Sequence, residues 1–115
     1  MKLVTNRPVA QGDILIIPIT YIPADAKRAK AEEGYFIIAH SETGHHHVID
    51  RTKVEVYEAA DDAFVAYVRT FRDGAEIEHQ RSFDTHETVA LSPDRLYEIR
   101  RQREYVPQGF RKAAD

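Results

Sequence analysis

Residues 63–71 read AFVAYVRTF, residues 72–74 read RDG and residues 75–83 read AEIEHQRSF. The first stretch is rich in β-branched and aromatic side chains, which fit a pleated, half-buried surface. As a strand it points Val65, Tyr67, Arg69 and Phe71 one way and Phe64, Ala66, Val68 and Thr70 the other. Asp73-Gly74 is the cleanest hairpin signal in the chain, because both residues tolerate the positive φ of a two-residue turn. It predicts that Ala75 to Phe83 returns as the partner strand. This block sets the fold class as β.

The same logic extends in both directions. Asp13 to Thr20, DILIIPIT, follows the turn signal Gln11-Gly12-Asp13 and has the continuous apolar character of a buried strand. Pro18 places its later half at a sheet edge or bulge. Gly34 to His40 is a second apolar strand. His45 to Asp50 starts a third, running on after Arg51 as Thr52 to Glu58. Glu87 to Leu91 is a short strand, Ser92-Pro93-Asp94 a turn, and Leu96 to Val106 the last strand, with Tyr97, Ile99, Arg101, Arg103 and Tyr105 on one face. Only Ala24 to Glu33, ADAKRAKAEE, has helix-forming composition, and it lacks an apolar stripe, so a short exposed helix ended by Gly34 is expected. The sum is a single all-β domain over 1–115, a small barrel or sandwich of about seven or eight short strands with one short helix and a flexible tail from about residue 107.

Composition bounds the chemistry. The 115 residues suffice for one core. With 43% hydrophobic and 30% charged residues the composition is globular. Zero cysteines exclude a thiol nucleophile, an iron–sulfur cluster, a Cys-type zinc finger and a disulfide framework. The net charge of −3 gives no general case for nucleic acid. Charge is nevertheless segregated: Glu55 to Glu78 holds seven acids against two bases, and Arg95 to Asp115 six bases against three acids. The simple reading is two charged faces that pair in the fold or sit in water. The N-terminal region is interrupted by Asn6, Arg7 and Pro8 before any apolar run, and no stretch approaches the ~20 apolar residues of a membrane span, so a cytoplasmic protein is expected.

Six histidines are what composition leaves unexplained, three of them consecutive at 45–47. On a strand His45 and His47 face one side and His46 the other. Two imidazoles at i and i+2 suit a divalent metal (Zn, Fe, Ni or Mn), with His79 on the return strand and His86 beyond it as further ligands. An open position on such an ion would activate water, with Glu78 as general base. The requirement is geometric: His79 and His86 must lie within reach of His45 and His47. His40 and His46 read as structural. The alternative is a non-enzymatic module that holds a protein or nucleic-acid partner through Arg100, Arg101, Arg103 and Tyr105, since arginines beside tyrosines grip phosphates and stack bases. Against that stands an edge strand guarded by charge. A third reading is a structural subunit with exposed histidines. There is no Gly-x-Ser-x-Gly elbow and no Gly-rich phosphate loop.

Two resemblances accompany these residues. The His-x-His pair on a strand resembles the cupins, which implies a metal in a barrel; Ala39 stands where the cupin motif has Gly, and Arg51 and Thr52 where it has Glu, so only His45 and His47 carry over. Gln11-Gly12-Asp13-Ile14-Leu15, Thr43-Gly44-His45 and Gln102-Arg103-Glu104-Tyr105 together are similar to small uncharacterised bacterial and phage β-proteins, a resemblance that implies no activity.

Overall fold

The computed structural model describes residues 2–4, 6–39, 46–79, 88–101, 103–106 and 109–112, and the side chains of 6–39, 46–79 and 88–101. Two β-sheets pack face to face around one core. The five-stranded sheet has the order β1 (Lys2–Val4), β10 (Val89–Leu91), β9 (Ala75–His79), β6 (His47–Asp50), β5 (Tyr35–Ala39). Its pairings are antiparallel except β1 with β10, which is parallel. The six-stranded sheet has the order β2 (Val9–Gln11), β3 (Ile14–Ile19), β11 (Leu96–Arg101), β8 (Val65–Thr70), β7 (Val54–Glu58), β4 (Lys27–Arg28), all antiparallel. β12 (Arg103–Val106) and β13 (Gly109–Lys112) pair as a separate ribbon, so part of the expected tail is strand.

β7, β9, β10 and β11 bury alternate residues, as period-two patterning requires, while β6 and β8 bury consecutive residues on both faces. Ile14 and Ile16 on β3, Val54 and Val56 on β7, Val68 on β8, and Tyr97 and Ile99 on β11 face Phe36, Ile49, Ile77, Val89 and Leu91 of the other sheet in one cluster. Full burial of each such side chain contributes roughly 1.5–3 kcal/mol.

Several expectations are corrected. The molecule is an open two-sheet sandwich, not a closed barrel. Among the described residues there is no helix, and so none long and apolar enough to cross a membrane. Ala24 to Glu33 instead makes a turn (Ala26 N donates to Pro23 O) and the two-residue strand β4, whose neighbour Ala29 donates its amide to Val56 O at 2.8 Å. Ala29 and Ala31 pack on the core while Lys30 is exposed, a period of two where a helix needs 3.6.

Asp73-Gly74 does not close a hairpin. β8 already has β7 and β11 on its two sides, so the chain leaves the sheet at the Asp73-Gly74 turn and enters the other as β9. Likewise 45–58 is not one strand: β6 and β7 lie in different sheets, with a turn at 51–53 between them. The last strand is divided into β11 and β12, and β11 is central to its sheet, not an edge, because it pairs with β3 on one side and β8 on the other. Pro18 stands where expected: β2 pairs with Ile14, Leu15 and Ile16 only, leaving the later half of β3 without that partner.

Three sheet-to-sheet crossings, at 51–53, 71–74 and 92–95, meet at one end of the sandwich. Phe71 ties them together. Its amide donates to Lys53 O (3.0 Å), and its carbonyl accepts from Asp94 N (3.0 Å) and Gly74 N (3.2 Å). The buried Thr70 hydroxyl donates to Ser92 O (2.7 Å) and accepts from Arg95 N (2.9 Å), and the Tyr97 hydroxyl accepts from Ser92 N (2.9 Å).

Candidate functional site

The opposite end holds the histidines. The β2–β3 turn, Gln11-Gly12-Asp13, belongs to the six-stranded sheet, while His47 and His79 sit opposite each other in register on β6 and β9 of the five-stranded one. Both histidines have the inward parity of Ile49 and Ile77, so both rings enter the space between the sheets. They stack with centroids 4.0 Å apart and planes 12° from parallel. The turn reaches them because Gly12 adopts φ +55°, and a Cβ there would stand 2.5 Å from Cε1 of His79 and 3.3 Å from Cε1 of His47. Glycine is thus required twice, for backbone sign and for space.

Gln11 and Asp13 flank that glycine and take both nitrogens of His47. Gln11 Nε2 donates to Ile77 O at 2.8 Å, which leaves Gln11 Oε1 as an acceptor for His47 Nδ1 at 2.8 Å. His47 Nε2 lies 2.8 Å from Asp13 Oδ1. Nδ1 therefore carries a hydrogen, and a second proton is shared between Nε2 and the carboxylate. With that proton the pair is neutral as a unit, which is how ionisable groups tolerate such burial. Gln11, Asp13, His47 and His79 are all within 3% of complete burial. The cluster links β2–β3 of one sheet to β6 and β9 of the other.

This geometry differs from what a metal or a general base needs. A metal lies in the plane of each imidazole it binds, about 2 Å from the nitrogen. Two nearly parallel planes about 4 Å apart do not meet at one ion, so His47 and His79 as stacked do not share one. Among the described residues no group of three or more His, Cys, Asp or Glu is placed to hold a metal ion. His47 keeps no nitrogen for a substrate, since Gln11 and Asp13 occupy both.

Of the residues predicted from sequence, His47 and His79 are brought together; His45 and His86, and also His40, lie outside the described residues. Glu78 is exposed and has the opposite parity on β9 from His79. His46 is half-buried. Arg100 is exposed and pairs with Glu98 (3.1 Å) and Asp62 (4.0 Å). Arg101 is half-buried, and Arg103 and Tyr105 belong to β12, in register with Lys112 and Phe110. Part of the acidic segment is matched locally: Glu55 pairs with Arg28 and Arg69 at 3.3 Å and accepts the Tyr57 hydroxyl at 3.0 Å. Partial burial, then that carboxylate, hold the Tyr57 hydroxyl above the ordinary tyrosine range.

Sequence reasoning treated Gln11 and Asp13 as turn residues only. The available signal was their spacing: two hydrogen-bonding side chains at i and i+2 around a glycine, directly before an apolar strand, can close on one ring.

No curated protein and no solved structure gives a match to the chain. A family model described as "Domain of unknown function (DUF8820)" matches residues 10–102, a span that takes in Gln11, Asp13, His47, His79 and both complete crossings of the six-stranded sheet by β8 and β11. The chain belongs to that family.

Proposed function

We propose that the domain is a binding module in which the histidine cluster is a structural clamp, not a metal or catalytic centre. The observation that carries this reading is the double engagement of His47, whose two nitrogens meet Gln11 and Asp13 at 2.8 Å in a site closed to solvent. A general base needs one nitrogen within reach of substrate. Here the ring spends both in holding the two sheets at the end where β5, β6 and β9 of one sheet and β2, β8 and β11 of the other start or finish. Binding sites on sandwiches gather at such ends, because connecting segments vary on a rigid frame.

The test is a histidine-selective nitrogen NMR spectrum of the full chain. His47 is expected to show two slowly exchanging ring N–H signals, unmoved by an equivalent of zinc or nickel. Stoichiometric loss or displacement of the His47 and His79 signals on adding metal, with a matching rise in thermal stability, overturns the reading.

A further inference from the structure

Beside the clamp, between the β5 edge and the inner face of the six-stranded sheet, lies a cleft of about 540 Å³. Ile38 and Ala39 of β5, Val56 of β7, Ala66 of β8 and Ile99 of β11 line it, and Arg101 enters at the end of β11. The volume falls within the range typical of small-molecule sites, and the lining mixes apolar side chains with Glu58, Asp61, Asp62 and Arg101.

Arg101 is the unusual member. It continues the inward parity of Tyr97 and Ile99, which carries a guanidinium where the pattern calls for an apolar residue. Its backbone amide is used, donating to Phe64 O at 3.0 Å. Its Nη2 is withdrawn from solvent and has no hydrogen-bond partner among the described residues. Arg100, one residue earlier and facing out, has two carboxylates within 4.0 Å. A charged donor held out of water without an acceptor costs stability, so such a group calls for a partner, and an anionic ligand is one that would supply it.

The acids of the cleft narrow the ligand. Glu58 and Asp61 are exposed at its rim, and Asp62 is already committed to Phe64 N (2.9 Å) and Arg100. One guanidinium at the wall with carboxylates at the mouth tolerates a single negative charge and opposes a dianion. We infer that this cleft binds a small molecule with an apolar body and one carboxylate, the carboxylate taken by the Arg101 guanidinium fork. The inference rests on the binding-module reading and adds the ligand class. The apolar body lies along Ile37, Ala59 and Phe64, the apolar lining residues that keep solvent exposure. A modest swing of the guanidinium offers two parallel N–H groups to the carboxylate oxygens, the geometry at which arginine exceeds lysine.

Isothermal titration of the full chain with octanoate, 1-octanol and octyl phosphate tests this. Octanoate is expected to bind one to one, about tenfold or more tighter than the neutral alcohol and the dianionic phosphate. Arg101→Met should weaken octanoate about tenfold and leave octanol unchanged, while Arg100→Gln should alter neither. Should Arg101→Met fail to fold, Arg101→Lys keeps the charge without the fork and should still weaken octanoate. Equal binding of octanol and octanoate, an unaffected Arg101 variant, or no octanoate binding at millimolar concentration overturns the ligand class. The His47 spectrum decides the module reading separately, because it responds to metal and not to these ligands.

Discussion

The two ends of the sandwich are held by different chemistry. At the crossing end, Phe71, Thr70, Ser92 and Tyr97 join three turns through neutral hydrogen bonds, mostly to backbone. At the histidine end, Gln11, Asp13 and His47 join the sheets through side chains, with a shared proton and an imidazole stack. Among the described residues each end contains one glycine at positive φ: Gly74 at 71° and Gly12 at 55°. The crossing end is closed by chain connectivity and would hold its shape over a wide range of conditions. The histidine end is closed by groups that can change protonation, and it adjoins the cleft.

The glycines give the strongest test of that contrast. A Cβ at Gly74 would meet the backbone oxygen of Leu91 at 2.5 Å, and backbone cannot step aside. Gly74→Ala is therefore expected to cost about 4 kcal/mol in urea unfolding, from strain at positive φ plus the clash. A Cβ at Gly12 meets a side chain, the His79 ring, so Gly12→Ala should cost about 3 kcal/mol and be partly relieved by His79→Ala. A double-mutant cycle with no coupling between positions 12 and 79 would remove the contact as the cause.

Next in size is the loss of polar partners. Asp13→Ala leaves His47 Nε2 buried without its acceptor and is expected to cost about 3 kcal/mol. Thr70→Val removes only a hydroxyl, stranding Arg95 N and Ser92 O, and should cost about 1–2 kcal/mol. Chemical denaturation of both variants checks the order; a Thr70→Val cost above that of Asp13→Ala reverses the ranking of the two ends.

The smallest effect is a pH dependence at the crossing end. The Thr52 side chain and then its amide hydrogen-bond to Asp50 (2.7 and 2.8 Å), and these bonds hold the carboxyl below the ordinary carboxylate range. A depressed carboxyl stabilises the fold above its unfolded pKa, and that contribution fades as pH falls through the folded value. Asp50 is exposed, so the effect is small. Asp50→Asn should lower stability slightly near neutral pH and match the parent in strong acid. A gap that widens in acid would contradict the sign.

Much of the strand content was legible because alternation is local. Ile14 and Ile16, Tyr97 and Ile99, and the edge position of Pro18 follow from the residues themselves. The Ala24 to Glu33 segment misled because helix propensity is weak next to the burial of Ala29 and Ala31 against the core. The Asp73-Gly74 turn misled because its chemistry permits a reversal of direction without naming the sheet that receives the next strand. For the site, the requirement that His79 lie within reach of His47 is legible in the sequence, and the register of β6 with β9 meets it. The roles of Gln11 and Asp13 were illegible, since Asp13 and His47 are 34 residues apart.

By itself, then, the sequence determined which residues face inward, where the chain turns at glycine, and that the fold is built of strands without cysteine chemistry. Pleat and backbone sterics act between neighbours, so a single stretch suffices to read them. Only the tertiary structure decided which sheet each strand joins and which groups reach the nitrogens of His47. An imidazole takes its role from the groups that reach its two nitrogens, and here those groups arrive from a turn in the other sheet.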